Sequence, residues 1–358
     1  MQKQTTLKEV TSCVGIGLHS GRRVELTLKP APADSGIVFR RLDVPDRPDR
    51  DDRDIPATVE HLSHINHATC LARDNVRIET VEHLLAAFCA LGVDNVIVEL
   101  DGAEVPIMDG SAAPFIYLIH EAGIRKLTTP RSIIKLTSPI SVTDGARSVA
   151  AYPSDGLKLS YTINFAHPLL RHQEYSTEID ETSFVEEIAP ARTFGFLKDV
   201  ELMRQSGLAL GGSLDNAVVL GETGVLNNPL RYPDEFVRHK VLDLLGDHVT
   251  DRHQVIYALT ILKVASIVLT DQTGIRGVRS ERPNHGKRDK YSTYFFHNVV
   301  STSVLLVYGS SLRPALTSRV NAAADAGFSP VRQFPTESAE LPDERPPQNA
   351  ITVWSGAT

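Results

Sequence analysis

Asp234–Asp247 reads DEFVRHKVLDLLGD, and its spacing predicts one amphipathic helix. Pro233 and Asp234 mark its start and Gly246 its stop. Val237, Val241, Leu244 and Leu245 fall on one side. His239 and Asp243 are four residues apart, so they share a face and can converge on one point. Asp247 lies one turn further along the same stripe. Imidazole and carboxylate are suitable zinc ligands. An exposed ion pair would give the same spacing.

Earlier in the chain, Thr80–Leu91 (TVEHLLAAFCAL) predicts a comparable helix. Thr80 can cap it and Gly92 follows its end. Val81, Leu84, Leu85 and Phe88 give it one apolar face. Glu82 and His83 sit together near its start. A histidine can hold a metal while the adjacent carboxylate handles the protons of a water. The same pair also fits an ordinary first helical turn, where the dipole favours glutamate.

Strand-like segments surround both helices. Arg23–Leu28 (RVELTL) alternates apolar and polar residues, Gly36–Arg40 reads as its neighbour, and Asn95–Leu100 is a third strand. Ile133–Leu136, Ile140–Thr143 and Leu157–Ile163 follow in the second half. Ser111–Gly123 and Val200–Ser206 read as further helices, with Gly123 and Gly207 at their ends. The pattern predicts an α+β fold of two similar units. At roughly 150 residues per domain, 358 residues hold two domains and a remainder. Leu127–Arg131 reads as the linker, so the expected units are 1–127 and 128–300, the second atypical from about 247. A C-terminal extension, 301–358, would follow. Ser303–Tyr308 reads as one more strand. Residues 329–348 are rich in proline and acidic residues, and disorder is expected from about 329. The charge-dense stretch Asp43–Asp54 reads as a solvated loop.

Composition narrows the function. Hydrophobic residues make up 42% of the chain and charged residues 23%, which supports a packed core. The net charge of −7 argues against non-specific nucleic-acid binding. Three cysteines without CxxC spacing exclude a disulfide scaffold and a thiolate zinc ribbon, and suit a reducing, cytoplasmic setting. Met1–Val10 lacks a signal-peptide core. Val255–Leu269, the longest apolar stretch, is interrupted by Lys263 and is short of the ~20 residues that span a bilayer.

Two further segments carry candidate chemistry. In Ala191–Phe196 (ARTFGF), Thr193 can offer a hydroxyl to a developing oxyanion, although an ordinary turn fits too. Gly15–Gly21 (GIGLHSG) is a glycine-rich turn carrying His19, and it is neither GxGxxG nor a Walker loop.

These segments, with Gln4–Leu7 (QTTL), Val105–Phe115 (VPIMDGSAAPF) and Gly211–Val218 (GGSLDNAV), occur in an order that resembles the UDP-3-O-acyl-N-acetylglucosamine deacetylases. This family comprises the zinc amidases of lipid A biosynthesis. The resemblance runs from Met1 to about Lys263. It implies two similar α+β domains with the active site between them, and a Gram-negative, cytoplasmic enzyme. It implies Zn2+ held by His83, His239 and Asp243, with Glu82 as general base. It implies that Thr193 stabilises the oxyanion, that Lys240 contacts substrate at the rim and that Phe194 lies beside the sugar. His19 falls near the site, and Asp247 matches an aspartate that orients a catalytic histidine. The implied substrate is an acylated UDP-N-acetylglucosamine, and a monomer is expected.

The sequence departs from the family just after Lys263. Ser266 stands where an acid histidine is expected, and serine cannot act as a cationic acid. Three readings follow. The first is a deacetylase that uses another donor (Glu82, His248, His253 or His285); the second is a paralogue that binds zinc and nucleotide sugar without efficient turnover; the third is a coding sequence altered in this region.

Overall fold

The computed structural model describes residues 2–45, 53–65, 67–131, 138–144, 147–226, 229–247 and 299–308. Its first half runs β1 (Lys3–Leu7), β2 (Thr11–Ile16), β3 (Arg23–Pro30), β4 (Ile37–Arg41), β5 (Asp54–Pro56), β6 (Leu62–His64), β7 (Cys70–Arg73), β8 (Val76–Glu79), α1 (Glu82–Ala90), β9 (Val96–Leu100), α2 (Ala113–Ala122) and β10 (Ile124–Pro130). The second half runs β11 (Ile140–Asp144), β12 (Arg147–Pro153), β13 (Lys158–Phe165), β14 (Gln173–Glu178), α3 (Glu181–Ser183) with a π-helical turn (Phe184–Ile188), β15 (Phe194–Phe196), α4 (Leu197–Gln205), β16 (Val218–Leu220), α5 (Glu235–Gly246) and β17 (Val299–Tyr308). This is an α+β fold.

Two five-stranded sheets dominate it, ordered β2-β3-β9-β4-β5 and β11-β12-β17-β13-β14. Counted within each sheet, both follow the order 1-2-5-3-4. The central strand is where they differ. β9 runs antiparallel to β3 and parallel to β4, whereas β17 runs parallel to β12 and antiparallel to β13. The two sheets therefore share a plan, with the last strand inserted in opposite directions.

Alternation drives the first sheet. In β3, Val24, Leu26 and Leu28 are buried while Arg23 and Glu25 are exposed. These residues join Phe39, Val96 and Val98 in a core shared with Leu84, Leu85 and Phe88 of α1. Each such side chain contributes about 1.5–3 kcal/mol by leaving water. Helix α1 is buried from Glu82 through Phe88, polar residues included, because α5 covers the side its polar residues occupy. α5 in turn packs on β13 and β14.

Several sequence expectations change. Leu127–Arg131 is no linker: Ile124–Pro130 is strand β10, paired antiparallel with β1. Its alternating exposure, with Leu127 half-buried, suits a sheet edge better than a tether. Thr80 does not cap α1. It sits at φ 60° and donates its hydroxyl to Glu104 instead. Gly36–Arg40 does not neighbour Arg23–Leu28, because β9 lies between β3 and β4. Gly246 is the last residue of α5 rather than a residue beyond its end. The strand read at Ser303–Tyr308 begins at Val299 and occupies the middle of the second sheet. Ile133–Leu136, Val255–Leu269, Ser266, His248, His253, His285 and the stretch from 329 lie outside the described residues. No helix among the described residues is long and apolar enough to cross a membrane.

Candidate active site

The N-terminus of α1 meets the C-terminus of α5. Gly246 sets how closely they approach, since a Cβ there would stand 1.8 Å from the Glu82 carbonyl oxygen. The crossing places His83 of α1 against His239 and Asp243 of α5. The Nε2 atoms of His83 and His239 lie 3.5 and 3.2 Å from Asp243 Oδ1. The two imidazole rings meet edge to face, with centroids 5.0 Å apart. All three donor atoms lie within 4.8 Å of one another.

The surroundings orient these donors. His239 Nδ1 is 3.0 Å from the Ala191 carbonyl, a contact in which the ring nitrogen donates. That leaves Nε2 turned toward Asp243 Oδ1. Asp243 Oδ1 is buried with no hydrogen-bond partner among the described residues, while Oδ2 accepts from Lys240 Nζ at 2.7 Å. Burial opposes ionisation of Asp243, yet His239 and Lys240 outweigh it and hold the carboxyl well below the usual range. Burial also opposes the Lys240 charge, but Asp243, Tyr161 and Asp247 raise its pKa above the ordinary lysine value.

Glu82 flanks the cluster from the first turn of α1. Its Oε2 accepts from the Thr69 backbone N–H at 3.1 Å. Burial, reinforced by Asp243 and Asp247 against the opposing pull of His83, pushes its pKa up to about 7. A carboxyl near neutrality is suited to both taking and giving a proton. Asp247 caps α5, and its Oδ1 accepts from the Thr69 hydroxyl.

One cleft of about 350 Å³ gathers Glu82, His83, Thr193, Phe194, Lys240 and Asp243, with His19 on its wall. Its other side is apolar, formed by Leu18, Leu197, Val200, Met203 and Leu214. Thr193 is held by a backbone bond to the Gly110 carbonyl, 2.8 Å. Gly110 has φ 85°, and a Cβ on it would stand 2.0 Å from the Asn216 carbonyl oxygen, so only glycine fits. Phe194 stacks edge-on with Phe236, and Lys240 Nζ lies 5.5 Å from the Phe194 ring centroid. His239 and Asp247 stand behind the lining.

Three contributors escaped the sequence reading. Thr69 joins Glu82 to Asp247. Buried Glu104 receives the His19 and Ser20 amides and the Thr80 hydroxyl, and so pins the glycine-rich turn. Buried Glu235 clamps Arg192. Each acts through contacts distant in sequence, which no local spacing signals.

Two buried histidines and a half-buried aspartate beside a glutamate, where α1 crosses α5, form a donor set able to hold a metal ion. Residues 4–264 match the family described as LpxC, UDP-3-O-acyl N-acetylglycosamine deacetylase. A UDP-3-O-acyl-N-acetylglucosamine deacetylase of Pseudomonas entomophila (strain L48) is 48% identical over 250 residues, 69% of this chain and 81% of the relative. One from Myxococcus xanthus (strain DK1622) is 49% identical over 245 residues, 68% of this chain and 76% of the relative. The chain belongs to the UDP-3-O-acyl N-acetylglycosamine deacetylase family. The family match ends one residue past Lys263, where the sequence resemblance ends too.

Proposed function

We infer that this chain hydrolyses the N-acetyl group of a UDP-3-O-acyl-N-acetylglucosamine, a step of lipid A biosynthesis. The carrying observation is the His83–His239–Asp243 cluster beside buried Glu82, within a stretch nearly half identical to two proteins named as deacetylases. The relatives' names give no support to a binding-only paralogue. We take the half that ends with β10 and the half that runs from β11 to β17 as the units that meet at the site, in a cytoplasmic monomer.

The donor set fits a zinc ion. Asp243 Oδ1 lacks a hydrogen-bond partner among the described residues, and His239 presents Nε2 beside it. His83, His239 and Asp243 would hold the ion, the three-ligand arrangement of catalytic zinc sites. Zinc there supplies Lewis acidity, polarising oxygen and making water easier to deprotonate.

The protein's own groups do the rest. Glu82 takes a proton from the attacking water as its oxygen bonds to the amide carbon. The carbonyl oxygen gains negative charge, and the Thr193 hydroxyl donates to it. As the C–N bond breaks, Glu82 returns the proton to the leaving amine, which releases acetate. Thus Glu82 covers the role for which a histidine was expected at Ser266. Lys240, positively charged and steadied by Asp243, faces the anionic substrate at the rim. Phe194 and His19 border the sugar, and the apolar wall from Leu18 to Leu214 receives the acyl chain.

Glu82→Gln tests the reading. Acetate release should fall by ~10²–10⁴-fold while zinc content per chain stays constant. An unchanged rate would overturn it.

A further inference from the structure

Strands β6, β7 and β8 form a separate three-stranded sheet. Each contributes one metal-type donor: His64, Cys70 and Glu79. His64 and Glu79 both pair directly with Cys70, on its two sides. Directly opposed residues project from the same face of a sheet, so the three side chains stand in a row. The register makes this possible. Leu62 pairs with Leu71, but the next residue of β7 to pair, Cys70, meets His64 rather than Ser63. A bulge has therefore skipped the serine and re-aimed the histidine, a device common beside functional sites.

The donor atoms of the three residues lie within 4.8 Å of one another. Donors around a tetrahedral zinc are ~3.4–3.8 Å apart, so closure requires side-chain movements of about 1 Å. The row is poorly satisfied as it stands. His64 Nδ1 is buried with no hydrogen-bond partner among the described residues. Cys70 is fully buried, and among the described residues its thiol makes one long contact, 3.7 Å to the Leu71 carbonyl. Glu79 Oε1 pairs with Arg77 Nε at 3.0 Å, but the Arg77 side chain is 63% exposed and can yield to a cation.

We propose that His64, Cys70 and Glu79 form a second divalent-cation site, separate from the His83–His239–Asp243 cluster. The mixed nitrogen, sulfur and oxygen set favours zinc-class ions over magnesium or calcium. Binding displaces the Cys70 proton to solvent. Thiolate and carboxylate then balance the two positive charges, and a fourth position stays open. The site stands on the sheet register alone, so it holds whether or not the deacetylase reading does.

Cobalt(II) discriminates the two sites. The His83–His239–Asp243 set has no sulfur, so a thiolate-to-cobalt charge-transfer band reports only a cysteine site. The full-length protein, stripped by chelation and reloaded with Co2+, should show this near-ultraviolet band. The band should persist in His83→Ala and vanish in Cys70→Ser, with Cys13 and Cys89 still present. Metal per chain should fall by one equivalent in Cys70→Ser. No band in the parent protein, or a band that survives Cys70→Ser, would overturn the proposal. If circular dichroism shows that Cys70→Ser is unfolded, His64→Ala and Glu79→Gln decide. Each should weaken Co2+ binding at the band-producing site by at least about tenfold. Unchanged affinity in both would equally overturn the site.

Discussion

Thr69 does two jobs at the scale of one residue. Its amide donates to Glu82 Oε2 and its hydroxyl to Asp247 Oδ1. The hydroxyl ties the loop before β7 to the end of α5, and this fixes where the amide points. Thr69→Val keeps the shape and the amide but removes that buried hydrogen bond. A loss of about 1–3 kcal/mol is expected from urea unfolding. Thr69→Ser, which retains the hydroxyl, should recover most of it. Equal losses in both variants would mean that the methyl, not the hydrogen bond, matters. Neither role was visible in the sequence, where Thr69 is one residue in an undistinguished polar stretch. Glu82, His83, His239 and Asp243 were legible as candidates because helical periodicity places side chains locally. Their convergence was not, since His83 and His239 stand 156 positions apart.

At the scale of elements, the crossing of α1 and α5 is decided by one missing methyl group. Replacing glycine by alanine inside a helix normally gains up to about 1 kcal/mol. At Gly246 the new Cβ would fall 1.8 Å from the Glu82 carbonyl oxygen, far inside contact distance, and backbone would have to move. Overpacking costs about 1–3 kcal/mol or more, so it outweighs the propensity gain. Gly246→Ala should lower the thermal midpoint. It should also reduce acetate release below what the folded fraction accounts for, because the shift separates His83 from His239. A stabilised, fully active variant would show that the helices have slack. The sequence marked Gly246 as a helix terminator. Only the packing reveals that it is a contact point. Thr80 teaches the same lesson: capping chemistry was available, but buried Glu104 competes for the hydroxyl.

Across the whole molecule, Glu235 anchors the ARTFGF segment to α5. It accepts from the Arg192 guanidinium at 2.8 and 3.1 Å and from the amides of Arg192 and Arg231. Burial alone would raise its pKa, but these donors, led by Arg192, hold it below the ordinary 4.5. A depressed folded value stabilises the protein fully above the unfolded pKa, and that stability is lost as pH falls through the folded value. Glu235→Gln should therefore cost about 3–5 kcal/mol at neutral pH, because Arg192 stays buried without its partner. Its urea-unfolding free energy should also fall less steeply below pH 4.5 than that of the parent. Parallel acid profiles would remove Glu235 from the account.

The sequence by itself determined the four longer helices α1, α2, α4 and α5, the six strands β3, β4, β9, β11, β13 and β17, the α+β class and the candidates Glu82, His83, His239 and Asp243. It could do so because hydrophobic period and turn residues act over a few positions. Tertiary structure alone decided that β9 separates β3 from β4, that Leu127–Arg131 is mostly strand and that both sheets share one strand order. It also decided that Gly246 lets two helices meet, and that a bulge sets His64 opposite Cys70. Those outcomes depend on which distant surfaces bury one another and which buried donors find acceptors, and such competition leaves no local periodic mark.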